Sequence, residues 1–172
     1  VKLYLSGAFG EKAGDVNAYA ASTFYAVDRF ASFRSDWGSY YAQGGVLVCD
    51  RYTTSNAVHQ CSKLPRSEWD AYLDWLFDFE YNKIGIPAPD KVVLLDLPLA
   101  VSQTLMSARY QGDEAKKDIH ENDLCYLEKS HEAAVYCAEK FGWSRIDCTE
   151  NGQLLPIDAI HEKVTMLVKQ WL

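Results

Sequence analysis

A carboxylate and a guanidinium stand side by side at Asp50-Arg51, where the apolar run Val46-Leu47-Val48-Cys49 gives way to Tyr52-Thr53-Thr54-Ser55-Asn56. Arginine offers a planar fork that fits phosphate oxygens bidentately. The apolar run, entered through Gly44-Gly45, reads as a strand buried on both faces of a parallel sheet. Ligands in such sheets sit beyond the carboxyl ends of the strands. Asp50 and Arg51 are therefore expected to hold a phosphorylated small molecule.

Elements that could position this pair follow along the chain. The spacing at Val1, Tyr4 and Leu5 resembles the tail of a helix ending at Ser6-Gly7. Asp15 is a candidate cap for a helix running from Val16 to about Gln43. Thr53 to Cys61 reads as a short helix or loop at the binding edge. Pro65 opens a long amphipathic helix in which Trp69, Tyr72, Leu73, Leu76, Phe77 and Ile84 recur at three- and four-residue steps. Val92 to Leu95 is expected to be a second buried strand, ending at Asp96. A helix follows from Leu99 to Arg109, then a charged loop without apolar periodicity at 110–118. A helix at 124–141, a short strand at 144–147 and a last helix from Ile157 complete the pattern. Strands alternating with helices define an α/β class with a parallel sheet.

A chain of 172 residues is expected to form one domain. Its 24 acids against 17 bases argue against a general nucleic-acid binder. No apolar run approaches the roughly 18 residues of a membrane span. The cysteines at 49, 61, 125, 137 and 148 are odd in number and form no Cys-x-x-Cys. They read as reduced thiols of a cytoplasmic protein, Cys49 lying in the expected buried strand. The four histidines show no metal-ligand spacing.

Three ordered blocks resemble the thymidylate kinase family of P-loop nucleoside-monophosphate kinases. They are Phe24-Tyr25-Ala26-Val27-Asp28-Arg29, then Asp50 through Gln60, then Val93-Leu94-Leu95-Asp96-Leu97-Pro98 with the helix to Arg109 and the loop to Glu121. The resemblance implies a three-layer α/β/α fold of P-loop kinase type over residues 1–172, with a lid at about 109–121. It implies ATP-dependent phosphorylation of dTMP to dTDP, in dTTP biosynthesis, by a cytoplasmic homodimer using Mg. Arg51 falls on the family arginine that grips the dTMP phosphate, and Asp50 on the carboxylate beside the Mg–phosphate centre. Tyr25 falls on the ring that stacks on thymine, and Arg29 on the arginine that reaches the base edge. Asn56 matches a base-contacting position, with Ser55 beside it and Gln60 a further pocket candidate. Arg109, Lys116 and Lys117 are the lid cations available to ATP, Arg109 being the catalytic candidate among them. His59 departs from the aromatic common at its place and takes no role. The aromatic-rich helices at 16–43 and 66–84 are the candidate dimer surfaces.

Phosphoryl transfer needs positioning and charge neutralisation more than covalent chemistry, and these residue types supply both. The sequence also departs from the family. No Gly-x-x-x-x-Gly-Lys-Ser/Thr occurs; Gly7 to Lys12 has glycines and a lysine at the wrong spacing. Since the chain opens with Val in mid-pattern, a first strand–helix unit of about 30 residues carrying the phosphate loop is expected to lie upstream. The polypeptide alone is then expected to be inactive. Two other readings stay open: a deoxynucleoside kinase of the related P-loop group, and a nucleotide-binding remnant without catalysis.

Overall fold

The computed structural model of the protein describes residues 1–10, 12, 14–110 and 123–172. The chain divides into two compact units, one built from the described parts of Val1–Ala88 and Asp118–Ala133, the other from those of Pro89–Lys117 and Ala134–Leu172.

The first unit is helical. After a single turn, α1 (Lys2–Leu5), comes α2 (Ala18–Ser32), which runs through a π-helical segment (Phe33–Trp37) into α3 (Gly38–Ala42). The start of α2 differs from the expectation. Asn17, not Asp15, is its cap, its side chain accepting from Ala20 N at 2.8 Å. Asp15 is spent on a local turn, accepting from Lys12 N at 3.0 Å. The stretch read as a short helix or loop is a helix, α4 (Thr53–Cys61). The helix after Pro65 is broken into three registers: a 3₁₀ turn (Arg66–Glu68), α5 (Trp69–Phe77) and a π-helical segment (Asp78–Ile84). Gly85 ends it in the left-handed conformation, φ 81°, where a residue without Cβ is at ease. Tyr72, Leu73, Leu76, Cys61, Ala57, Ala21 and Ala26 form the core in which α2, α4 and α5 meet.

The expected strand at 46–49 is absent. Those residues lie in no strand or helix, and Val48 is 96% exposed. β-Structure needs a neighbour to take its N–H and C=O groups, and no described strand pairs here. Cys49, expected inside, is exposed.

In the second unit, β1 (Val93–Asp96) pairs in parallel with β2 (Ser144–Asp147), Val93 opposite Ser144 and Asp96 opposite Asp147. This parallel pair belongs to the expected α/β class. β1 is not buried on both faces, however: Leu95 is 52% exposed. Arg145 reaches across the register to ion-pair with Asp96. α6 (Leu99–Arg109) follows β1 and α8 (Ile157–Val168) closes the chain, while α7 (Leu124–Phe141) contributes to both units. The hairpin β3 (Thr149–Glu150) and β4 (Gln153–Leu154) was not anticipated. Asn151 and Gly152 both take positive φ, 52° and 78°, the signature of the Asn-Gly two-residue turn.

Candidate functional site

The site is assembled in the first unit from the facing sides of α2 and α4 and the π-helical segment after α5. Helical spacing puts Ser22, Ala26 and Arg29 on one side of α2, and Thr53, Asn56 and Gln60 on one side of α4. Ser22, Ala26, Thr53, Asn56 and Gln60 are all buried. Polar groups in such a place need partners, and a buried carboxylate provides them for Thr53 and Asn56.

That carboxylate is Glu80, fully buried. Arg29 grips it with two nitrogens, Nε donating to Oε2 at 2.7 Å and Nη2 to Oε1. Thr53 Oγ1 donates to Oε2 at 3.0 Å, and Asn56 Nδ2 to Oε1 at 3.2 Å. Two of the sequence-nominated pocket residues, Arg29 and Asn56, are thus tied to one carboxylate. Asn56 Nδ2 also faces the carbonyl of Ser22 at 3.4 Å. Ser22 Oγ and Tyr72 Oη share a hydrogen bond of 2.7 Å, and Tyr72 donates onward to the carbonyl of Asn56 at 3.3 Å. Burial drives the Tyr72 hydroxyl well above its ordinary pKa, and burial likewise pushes Tyr81, hydrogen-bonded to Thr53, up to about 12.

Glu80 was not singled out from the sequence. The signal was present: it falls four residues after Leu76 and four before Ile84, on the apolar stripe, where an acid is costly unless paired. The π-helical register changes which side chains face inward and obscures that spacing.

The remaining candidates are distributed as follows. Tyr25 lies half-buried one turn before Arg29, its ring meeting Tyr4 edge-on at 6.0 Å. Ser55 is half-buried beside Asn56. Gln60 is buried, and its Oε1 has no hydrogen-bond partner among the described residues. Asp50 and Arg51 are exposed at the corner leading into α4. Arg51 has φ 67°, a left-handed conformation that costs a residue with Cβ about 1–2 kcal/mol and that recurs at functional sites. Tyr52 holds this corner by donating to the carbonyl of Pro87 at 2.8 Å. His59 stacks on Tyr126 with the rings 6.1 Å apart. In the second unit, Arg109 is exposed at the end of α6. Lys116 and Lys117 lie outside the described residues.

Donors forked onto a fixed acid, an unpartnered amide oxygen and an exposed Asp-Arg corner suit a flat polar ring bearing an anion. The thymidylate kinase family model matches residues 5–160, and the chain belongs to that P-loop α/β family. A thymidylate kinase of Mycobacterium tuberculosis is 29% identical over 133 residues, covering 77% of this chain and 60% of the relative. One from Herpetosiphon aurantiacus is 31% identical over 125 residues, 73% of this chain and 45% of the relative. One from Thermosynechococcus vestitus is 25% identical over 160 residues, 91% of this chain and 61% of the relative. The chain thus spans about 60% of the length of the Mycobacterium and Thermosynechococcus relatives and 45% of that of the Herpetosiphon one. Among the described residues no helix is long and apolar enough to cross a membrane.

Proposed function

We propose that the protein transfers the γ-phosphate of ATP to dTMP, giving dTDP, and that residues 22–60 with Glu80 form the acceptor pocket. The observation that carries the reading is the joint anchoring of Arg29 and Asn56 on Glu80. It leaves Arg29 as donor and Asn56 with an accepting oxygen toward a base. Tyr25 supplies a ring for stacking, Ser55 and Gln60 further polar groups, and Arg51 a fork for the phosphate.

Asp50 suits Mg held through phosphates. That ion keeps several waters and takes only one or two protein carboxylates, so an exposed single acid is an adequate donor. When bound, Mg would neutralise charge on the transferring phosphoryl group. The residues of this chain position the acceptor: Arg51 holds its phosphate, Tyr25 and Arg29 its base. Arg109, with Lys116 and Lys117, is assigned to ATP as the lid cations; closing cations over phosphates also excludes water.

We further read the protein as a cytoplasmic homodimer. No disulfide joins its described cysteines, and Val27 and Phe30 on α2 are exposed at 65% and 41%, an apolar surface suited to a second copy. Sedimentation velocity tests the dimer; a monomer at micromolar concentration contradicts it. Cell fractionation tests the compartment; recovery outside the cytoplasm contradicts it. A coupled ADP-release assay with dTMP tests the activity, and absence of dTMP-dependent ADP release contradicts the reading.

A further inference from the structure

We infer that Glu80 is a specificity-determining positioning residue, because it fixes which end of the Asn56 amide faces the base. This rests on the dTMP reading and deepens it.

An asparagine amide can present either its NH₂ or its oxygen. Here the Nδ2 end lies between two acceptors, Glu80 Oε1 at 3.2 Å and the Ser22 carbonyl at 3.4 Å. A turned amide would set Oδ1 against a carboxylate oxygen and a carbonyl oxygen in a buried place. That is a strongly unfavourable arrangement. The NH₂ is therefore pinned inward, and Asn56 meets a ligand as an acceptor. The same carboxylate takes Nε and Nη2 of Arg29, leaving Nη1 as the nitrogen outside the fork, able only to donate. One acid thus sets the polarity of Asn56, leaving its oxygen as the acceptor, and fixes the position of the Arg29 guanidinium, which is a donor in any setting. Because both side chains hold one carboxylate, they adjoin closely enough to read one base.

The complement of that pair is an imide edge, an N–H beside a carbonyl, as in thymine or uracil. Cytosine carries the reverse, a ring-nitrogen acceptor beside an amino donor. A site built around hydrogen-bond polarity discriminates strongly, since the wrong partner leaves buried groups unpaired. Glu80 touches no ligand in this scheme; it acts through Asn56 and Arg29.

Calorimetric titration of dTMP and dCMP into wild-type protein and Glu80→Gln tests it. Glutamine can offer its own NH₂ to Asn56 and so lets that amide turn. The ratio of dCMP to dTMP dissociation constants is expected to fall at least tenfold. A merely structural loss weakens both nucleotides alike; an unchanged ratio overturns the inference. A wild-type protein that binds no dTMP overturns the dTMP reading itself. Should Glu80→Gln not fold, the unmutated protein still decides. The side-chain NH₂ of Asn56, assigned by its loss in Asn56→Ser, is expected to exchange slowly with solvent, with and without dTMP. Fast exchange in the free protein overturns the inference.

Discussion

Arg29 and Glu80, fifty-one residues apart in sequence, meet as a two-pronged ion pair with the Glu80 side chain fully buried and that of Arg29 only 14% exposed. The pair joins α2 to the π-helical segment after α5. Its worth to stability is not its Coulomb energy alone. Burying both charges has a large desolvation cost, and removing one leaves the other stranded.

Glu80→Met and Arg29→Met should therefore each destabilise the protein by about 3–5 kcal/mol, while the double substitution should be markedly less harmful than the two losses added together. Urea denaturation of all four proteins measures this. Additive losses would show that the two side chains are not coupled.

Lys63 gives a pH-dependent counterpart. Its ammonium donates to Tyr4 Oη at 2.8 Å and to the carbonyl of Val16 at 3.0 Å, yet burial lowers its pKa to about 8. Between that value and the ordinary lysine range, the unfolded chain binds the extra proton. Stability from this group should thus rise with pH from about 8 and fall away as pH drops through that value. The tyrosines raised by burial, Tyr52, Tyr72, Tyr81 and Tyr126, act oppositely: their contribution is full below the ordinary tyrosine pKa and is lost above it. Denaturation midpoints from pH 7 to 10 should climb less steeply in Lys63→Met than in wild type. Parallel curves would exclude a titrating Lys63.

The αL conformation of Arg51 separates backbone from chemistry. Arg51→Ala keeps the Cβ strain, whereas Arg51→Gly relieves about 1 kcal/mol of it. Both variants should lose about 10- to 100-fold in kcat/KM for dTMP, as expected for a missing charge-assisted phosphate contact, with the ATP dissociation constant nearly unchanged. Equal loss toward both substrates would assign Arg51 another role.

Tyr25→Phe should be mild for dTMP affinity and Tyr25→Ala severe, because stacking uses the ring face. Titration calorimetry compares them. Equal damage would transfer the recognition to the hydroxyl.

Sequence patterning located α6, α7, β2 and α8 through periodic runs and clear breakers, Gly142 before β2, Pro98 before α6 and Pro156 before α8, and left Thr53 to Cys61 open between helix and loop. It failed where the outcome depends on a neighbour. Val46 to Cys49 has strand composition, but a strand forms only beside another. Asp15 and Asn17 are both able caps, and only the turn at Lys12 decides between them. The Asn151-Gly152 pair carries the composition of a two-residue hairpin turn, but the strands it joins are only two residues each. At the site, Tyr25, Arg29, Arg51 and Asn56 were nominated individually. Glu80, which holds two of them in place, was hidden by a helical register that changes from α to π between Phe77 and Asp78.

The most direct test of the account is the acceptor preference of the protein. ADP release should be measured with ATP and Mg against dTMP, dUMP, dCMP and dGMP at equal concentration. The expected result is turnover with dTMP exceeding that with dCMP or dGMP by orders of magnitude, abolished or severely reduced in Arg29→Met. Turnover without preference for dTMP, or a preference that survives Arg29→Met, would contradict the account.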